Sequence, residues 1–195
     1  MSRPRKIKAI YDANAITVYL LCTPKEADRA IRDNSFTHLS NQKQVWIQPS
    51  FIWSTVRSGF GQKMKVMRLD IAKEGFLWAL EHSCLATFQS NPVHPTKKDW
   101  EEQRKKALFT AQWDADLDLD GRALQYDCLR LGFTGEMFVR YAQDWVVNIQ
   151  DMSKQVHVIW DVLGHGVDVN DDQLPREEDY PIYSSRIATV IKPTL

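Results

Sequence analysis

The sequence predicts one α+β domain with helices packed on a mixed or antiparallel sheet. Three observations carry that expectation. Residues 16–21, Ile-Thr-Val-Tyr-Leu-Leu, form a β-branched and aromatic run that reads as a strand buried on both faces. Helical and extended segments then follow one another without a regular βαβα rhythm. No G-x-G-x-x-G follows a strand, so a dinucleotide-binding doubly wound fold is not expected. A chain of 195 residues, 44% hydrophobic and 11% aromatic, is the size of one ordinary domain and too apolar for intrinsic disorder.

The elements follow in order. Thr23-Pro24-Lys25-Glu26 is a helix start in which threonine caps, proline takes the first position and glutamate closes a capping box. Ala27, Ala30 and Ile31 give that helix its inner stripe, and it ends near Asn34. Pro49 opens a second helix, 49–58, with Ile52, Trp53 and Val56 as the apolar face and Gly59 as the stop. Lys63 to Ile71 alternates as a strand, and a helix over 73–85 carries Phe76, Leu77, Leu80 and Cys84 at helical spacing. Asn91–Pro95 is a loop and Thr96–Lys106 a charged surface helix.

Phe109–Trp113 reads as a strand that ends at the acidic run Asp114, Asp116, Asp118 and Asp120. Cys128–Leu131 is a later strand breaking at Gly132-Phe133-Thr134-Gly135, followed by a helix over 136–144 and a strand over 146–149. Val156, Ile159, Trp160 and Leu163 follow helical spacing up to Gly164. The globular domain is expected over residues 1–167. Residues 168–195 read as an acidic, partly mobile extension, with an edge strand at Ile187–Ile191.

The net charge is zero, but it is unevenly spread. Residues 1–68 hold 12 Lys and Arg against four acids, so that third carries +8 and the remainder −8. Such a split can guide a phosphate-bearing ligand to one face, or can be two solvated faces attracting each other across the fold. No run approaches the ~18 apolar residues of a membrane span, and the three cysteines, Cys22, Cys84 and Cys128, stand in no metal or disulfide spacing. The expectation is a cytoplasmic protein with no membrane partner, no metal and inert core thiols. The five histidines are scattered. Asp114–Asp120 lacks the glycine and the glutamate of a calcium loop.

The densest segment is Trp46-Ile47-Gln48-Pro49-Ser50-Phe51-Ile52-Trp53, then Arg57-Ser58-Gly59-Phe60-Gly61. Helical spacing brings Ser50, Trp53 and Arg57 to one side. Arg57 and the bare N–H groups of the glycine turn could meet a phosphate, while Trp46 and Trp53 wall a planar ring. The competing account is an aromatic core helix whose last carbonyls Arg57 caps. Glu136 follows a strand and a Gly-x-x-Gly turn, at the first turn of a helix, where the helix dipole stabilises an acid whatever its role.

These blocks, together with Lys8-Ala9-Ile10-Tyr11-Asp12, Gln112-Trp113-Asp114 and Tyr141 with Trp145, resemble in their order the family called domain of unknown function 4291, over roughly residues 6–165. Two departures stand out. Lys8 replaces the arginine expected before A-I-Y-D. Asp127-Cys128-Leu129-Arg130-Leu131-Gly132-Phe133 replaces R-S-I-Q-I-G-L. If that arginine or glutamine binds substrate, Asp127 and Arg130 alter the function here. The opening, Tyr19–Thr23 with its helix and Asn34-Ser35-Phe36, is also similar in layout to ADP-ribosyltransferases.

That second resemblance implies NAD as substrate and transfer of ADP-ribose to an acceptor. Glu136 would then serve as the catalytic carboxylate, Arg57 as the diphosphate cation, and Trp46 or Trp53 as the nicotinamide wall. Ser50, Ser58, Lys8 and Tyr11 complete the binding set. The alternative is a non-catalytic module binding a nucleotide or nucleic acid through its basic first third.

Overall fold

A computed structural model describes residues 3–92 and 94–194. Met1 and Ser2 of the expected domain, Val93 of the expected 91–95 loop and Leu195 of the expected extension lie outside the described residues.

The chain runs β1 (Lys8–Ala9), β2 (Ala15–Cys22), α1 (Pro24–Asp33), β3 (Val45–Gln48), α2 (Phe51–Arg57), β4 (Lys65–Ala72), α3 (Lys73–Glu81), β5 (Ser83–Leu85). It continues α4 (Lys97–Lys106), β6 (Phe109–Leu117), β7 (Ala123–Phe133), α5 (Gly135–Trp145), β8 (Val146–Asp151), α6 (Ser153–Gly164), β9 (Glu178–Asp179) and α7 (Ser185–Ile191). Seven strands form one mixed sheet in the order β5-β6-β7-β3-β2-β4-β8, antiparallel except for β5 beside β6. β1 and β9 make a small antiparallel pair of their own. The class is α+β, as the sequence predicts.

Both faces of the sheet are covered, which is why β2 reads as apolar throughout. Val18 and Leu20 point into the larger core with Ile47, Leu69, Leu131 and Phe133, under Ala27 and Ala30 of α1, Phe76 of α3 and Phe138 of α5. Tyr19 points the other way, into a smaller cluster with Phe51 of α2 and Val156 and Ile159 of α6. The period-two alternation of a strand accounts for the split.

The start of α1 is the predicted one. Thr23 Oγ1 accepts from the Glu26 N–H at 3.3 Å, and the Glu26 carboxylate accepts from the Thr23 N–H at 2.8 Å. Several boundaries differ. α3 stops at Glu81, and Cys84 belongs to β5. β6 runs on through Asp114 and Asp116 to Leu117, because β7 begins at Ala123 and pairs with it that far, with a break in register at Asp116. The acidic turn shrinks to Asp118–Arg122, where the Asp118 N–H donates to the Arg122 carbonyl at 3.0 Å.

At the C-terminus, α7 replaces the expected edge strand. Ile187, Val190 and Ile191 are β-branched, yet they also fall at helical spacing. Ser184 caps the helix, with its Oγ accepting from the Ile187 N–H at 3.3 Å, and all three side chains are buried in the larger core. Tertiary burial outweighs their strand propensity. Tyr180 is buried as well, edge-on to Phe76 at 5.6 Å, so the chain beyond residue 167 contributes to the main core.

Candidate functional site

β2 and β3 pair only at Tyr19↔Gln48 and Leu20↔Ile47. Val45 and Trp46 pair with β7 instead, and the last residues of β2 pair only with β4. Where the two strands part, a cavity of about 400 Å³ opens between them. Leu21, Cys22, Val45 and Met64 give it apolar walls, Gln42, Gln44 and the Glu26 carboxylate polar ones, and Trp46, Trp53 and Arg130 flank it. That volume and mixture suit a small planar ligand carrying a few polar groups.

Arg130 organises this wall. It stands on β7 directly opposite Gln112 of β6, and Asp114 lies two residues further along the same face. The Arg130 Nε donates to Asp114 Oδ2 at 2.5 Å, and the Gln112 amide donates to Asp114 Oδ1 at 2.8 Å. The guanidinium carbon lies 4.7 Å from the Trp46 ring centre and 5.1 Å from that of Trp53. Two indoles and one carboxylate therefore hold a single cation. Each such cation–π contact contributes roughly 0.5–2 kcal/mol, more as water is excluded.

Gly132 makes room for Trp46. A Cβ at Gly132 would lie 2.8 Å and 2.9 Å from two Trp46 ring atoms, so the indole lies across β7 only because this residue has no side chain. The glycine expected to break the strand instead lies within it.

The structure brings together only part of the expected binding set. Trp46 and Trp53 meet at the cavity. Arg57 is exposed and packs on the Trp53 ring at 5.1 Å, outside the cavity lining. The N–H groups of Gly59, Phe60 and Gly61, expected to be bare, donate to Val56 O, Thr55 O and Ser58 Oγ. Ser58 is wholly buried and its hydroxyl donates to Thr55 O at 2.6 Å, which makes it part of the helix end. Ser50 is the cap of α2.

Lys8 and Tyr11 stand apart from the cavity, Lys8 over the Tyr126 ring at 5.1 Å and Tyr11 with its hydroxyl donating to Asp179 O at 3.2 Å. Glu136 is on the open surface of α5, paired with Arg140 one turn on at 2.6 Å. Asp127 pairs with Arg3 at 3.9 Å.

A second group of charges was not legible in the sequence. Asp116 is buried, and its Oδ1 accepts from the Ser50 hydroxyl at 2.9 Å. Glu177 reaches the next residue, its Oε1 accepting from the Phe51 N–H at 2.6 Å. Two carboxyl groups thus meet the first residues of α2 from sites 61 positions apart in the chain. Burial pushes the Glu177 carboxyl up to about 8; the Phe51 N–H opposes the shift, Asp116 adds to it and Lys8 opposes it. Asp116 is raised too, by burial first, against its bonds to Leu117 N–H and Ser50.

This arrangement gives stability a sign with pH. The folded-state value of Glu177 lies above the ordinary 4.5, so the folded protein holds the extra proton between about 4.5 and about 8. Stability therefore falls as pH rises through that window and levels off above it, and Asp116 shifts in the same direction. Glu177→Gln retains the acceptor for Phe51 and removes the titration. We expect its melting temperature to exceed that of the unaltered protein at pH about 8.5 and to vary less with pH. Thermal denaturation of both proteins across pH checks this, and parallel curves would assign the dependence elsewhere.

All three cysteines are free and buried. Burial raises each thiol, Cys22 to about 12, so none is a ready thiolate. Among the described residues no group of three or more His, Cys, Asp or Glu side chains converges as a metal site, and no helix is long and apolar enough to cross a membrane.

The family pattern described as "Domain of unknown function (DUF4291)" matches residues 6–180, and the chain belongs to that family. Among curated proteins none matches the chain.

Proposed function

We propose that this member of the DUF4291 family binds a nucleotide in the cavity between β2 and β3. The observation that carries the reading is Arg130, fixed by Asp114 and flanked by Trp46 and Trp53 at a cavity of about 400 Å³. A nucleotide combines the two features this wall can recognise. Its base offers a flat face for an indole, and its phosphate offers oxygens for the guanidinium hydrogens that Asp114 does not take. The apolar remainder of the cavity excludes water and strengthens both contacts.

ADP-ribosyl transfer from NAD is the second reading. It is favoured by one feature, the cavity at the end of β2 and the start of α1, the segment whose layout is similar to ADP-ribosyltransferases. Glu136 is paired with Arg140 on the surface away from the cavity, and the carboxylate that does line the cavity, Glu26, is taken up by Thr23 and Gln42.

Calorimetry with AMP, ADP-ribose and NAD tests the first reading, and nicotinamide release from NAD tests the second. We expect binding of all three with micromolar dissociation constants. No binding at about 1 mM of any of them would overturn the nucleotide reading.

A further inference from the structure

A second opening lies on the far side of Asp114. It is a groove of about 440 Å³ beside β5 and β6, lined by Arg5, Arg104, Thr87, Gln112, Trp113 and Asp114 among others. Gln112 and Asp114 are the residues that hold Arg130, so one ion pair separates this groove from the cavity. Arg5 lies over the Trp113 ring at 5.7 Å and is kept there by Gln89, whose side-chain oxygen accepts from its Nη1 at 2.8 Å. Trp113 alternates with Gln112 and Asp114 along β6, so it and Arg5 lie on the opposite face of the sheet, where the Trp113 N–H donates to the Ile191 carbonyl at 2.7 Å. They back the groove, while Gln112, Asp114 and Arg130 share the face of the cavity.

The rim outside the groove is also basic. The last turn of α4 carries Arg104, Lys105 and Lys106, all exposed, while Asp99, Glu101 and Glu102 lie nearer its start. Arg3 is exposed near the other margin, at 3.9 Å from Asp127. Three strand spacings separate the β5–β6 position of the groove from the β3–β2 position of the cavity, a distance of about 14 Å. One mononucleotide does not span it. A single dinucleotide could, but its two phosphates would leave most of the exposed cations without a counterpart.

Resting on the nucleotide reading above, we propose that the groove and the cavity form one track for a single-stranded nucleic acid, with Arg104 and Arg130 meeting phosphates and Trp46 and Trp53 meeting bases. Indoles interleaved with cations are what sequence-tolerant single-strand binding needs, because every base has a flat face and every linkage a charge. The exposed cations on α4 then act on a polyanion through release of its counterions, an effect that a mononucleotide barely provides.

Fluorescence anisotropy with a labelled single-stranded oligonucleotide of about eight residues tests the proposal, with AMP titrated in parallel. The oligonucleotide should bind at least tenfold more tightly than AMP, and its log affinity should fall linearly with log salt. The variant Arg104→Gln/Lys105→Gln/Lys106→Gln alters only exposed side chains. It should weaken oligonucleotide binding about tenfold or more and make the salt slope shallower by roughly two, while leaving AMP affinity unchanged. AMP binding as tight as the oligonucleotide, or an unchanged slope in the triple variant, would overturn the track and leave the nucleotide reading standing. Equal affinity for poly-glutamate of the same length would overturn it too, since that chain has charge but no bases. Absence of AMP binding together with tight, salt-dependent oligonucleotide binding would support the track and overturn the mononucleotide reading.

Discussion

Arg130→Lys lowers affinity for AMP and NAD about tenfold or more and moves the melting temperature by no more than a few degrees. Lysine keeps the charge and can still pair with Asp114. It cannot keep a planar group beside two indoles while offering two parallel N–H groups to a phosphate. The native geometry needs both, since Arg130 lies 4.7 Å from the Trp46 ring centre and 5.1 Å from that of Trp53 with its Nε committed to Asp114.

Stability changes little because the pair is only partly buried and such pairs contribute on the order of 1 kcal/mol. Arg57→Lys is the contrast. Arg57 is exposed and packs on the outside of the site, so its affinities should stay within about twofold. Calorimetry and thermal melts on the two variants decide between them. A larger loss at Arg57 would move the anchor from β7 to α2.

Gly135→Ala is expected to destabilise the fold by about 3 kcal/mol or more, at the upper end of what overpacking costs. A Cβ on Gly135 would lie 2.1 Å from the Leu39 carbonyl oxygen and 2.8 Å from those of Gln42 and Ser40. All three are backbone atoms, so no side-chain rotation relieves the overlap. The Gly135 N–H also donates to the Gln42 carbonyl at 2.9 Å, which docks the start of α5 on this loop.

For a chain of this length each kcal/mol corresponds to about 2–4 °C, so the melting point should drop by roughly 6–12 °C. Leu39, Gln42 and Gln44 line the cavity, so nucleotide affinity should fall in the same variant. Differential scanning calorimetry checks the first outcome. A melting point within about 2 °C of the native one would mean that the loop gives way at little cost.

How far the fold was legible varies by element for identifiable reasons. α1 was legible because its signals are local, with Thr23, Pro24 and Glu26 within four residues and the capping bonds formed as expected. β2 was legible because both its faces are apolar. β3 was not, although Trp46 and Gln48 stood in the most conspicuous segment. Four residues are too short for a period to show, and the strand exists because β7 and β2 flank it. Strand and helix signals coincide in Ile187, Val190 and Ile191, and the larger core decided between them.

The candidate site divides along the same line. Trp46 and Trp53 could be picked out as a pair because they are seven residues apart. Arg130 could be noticed only as a departure from the expected late strand. Nothing local shows that Gln112 and Asp114 would hold it across the β6–β7 register, or that Glu177 would reach the start of α2.

The sequence alone determined the α+β class, the capped start of α1, the aromatic segment and the basic first third, each encoded by neighbours within about a turn or a strand. The tertiary structure alone decided where β2 and β3 part, which cation the indoles hold, and which carboxyl groups gain a raised affinity for a proton. Those properties depend on strand register and on contacts between residues tens of positions apart, and a reading of local periodicity carries no information about either.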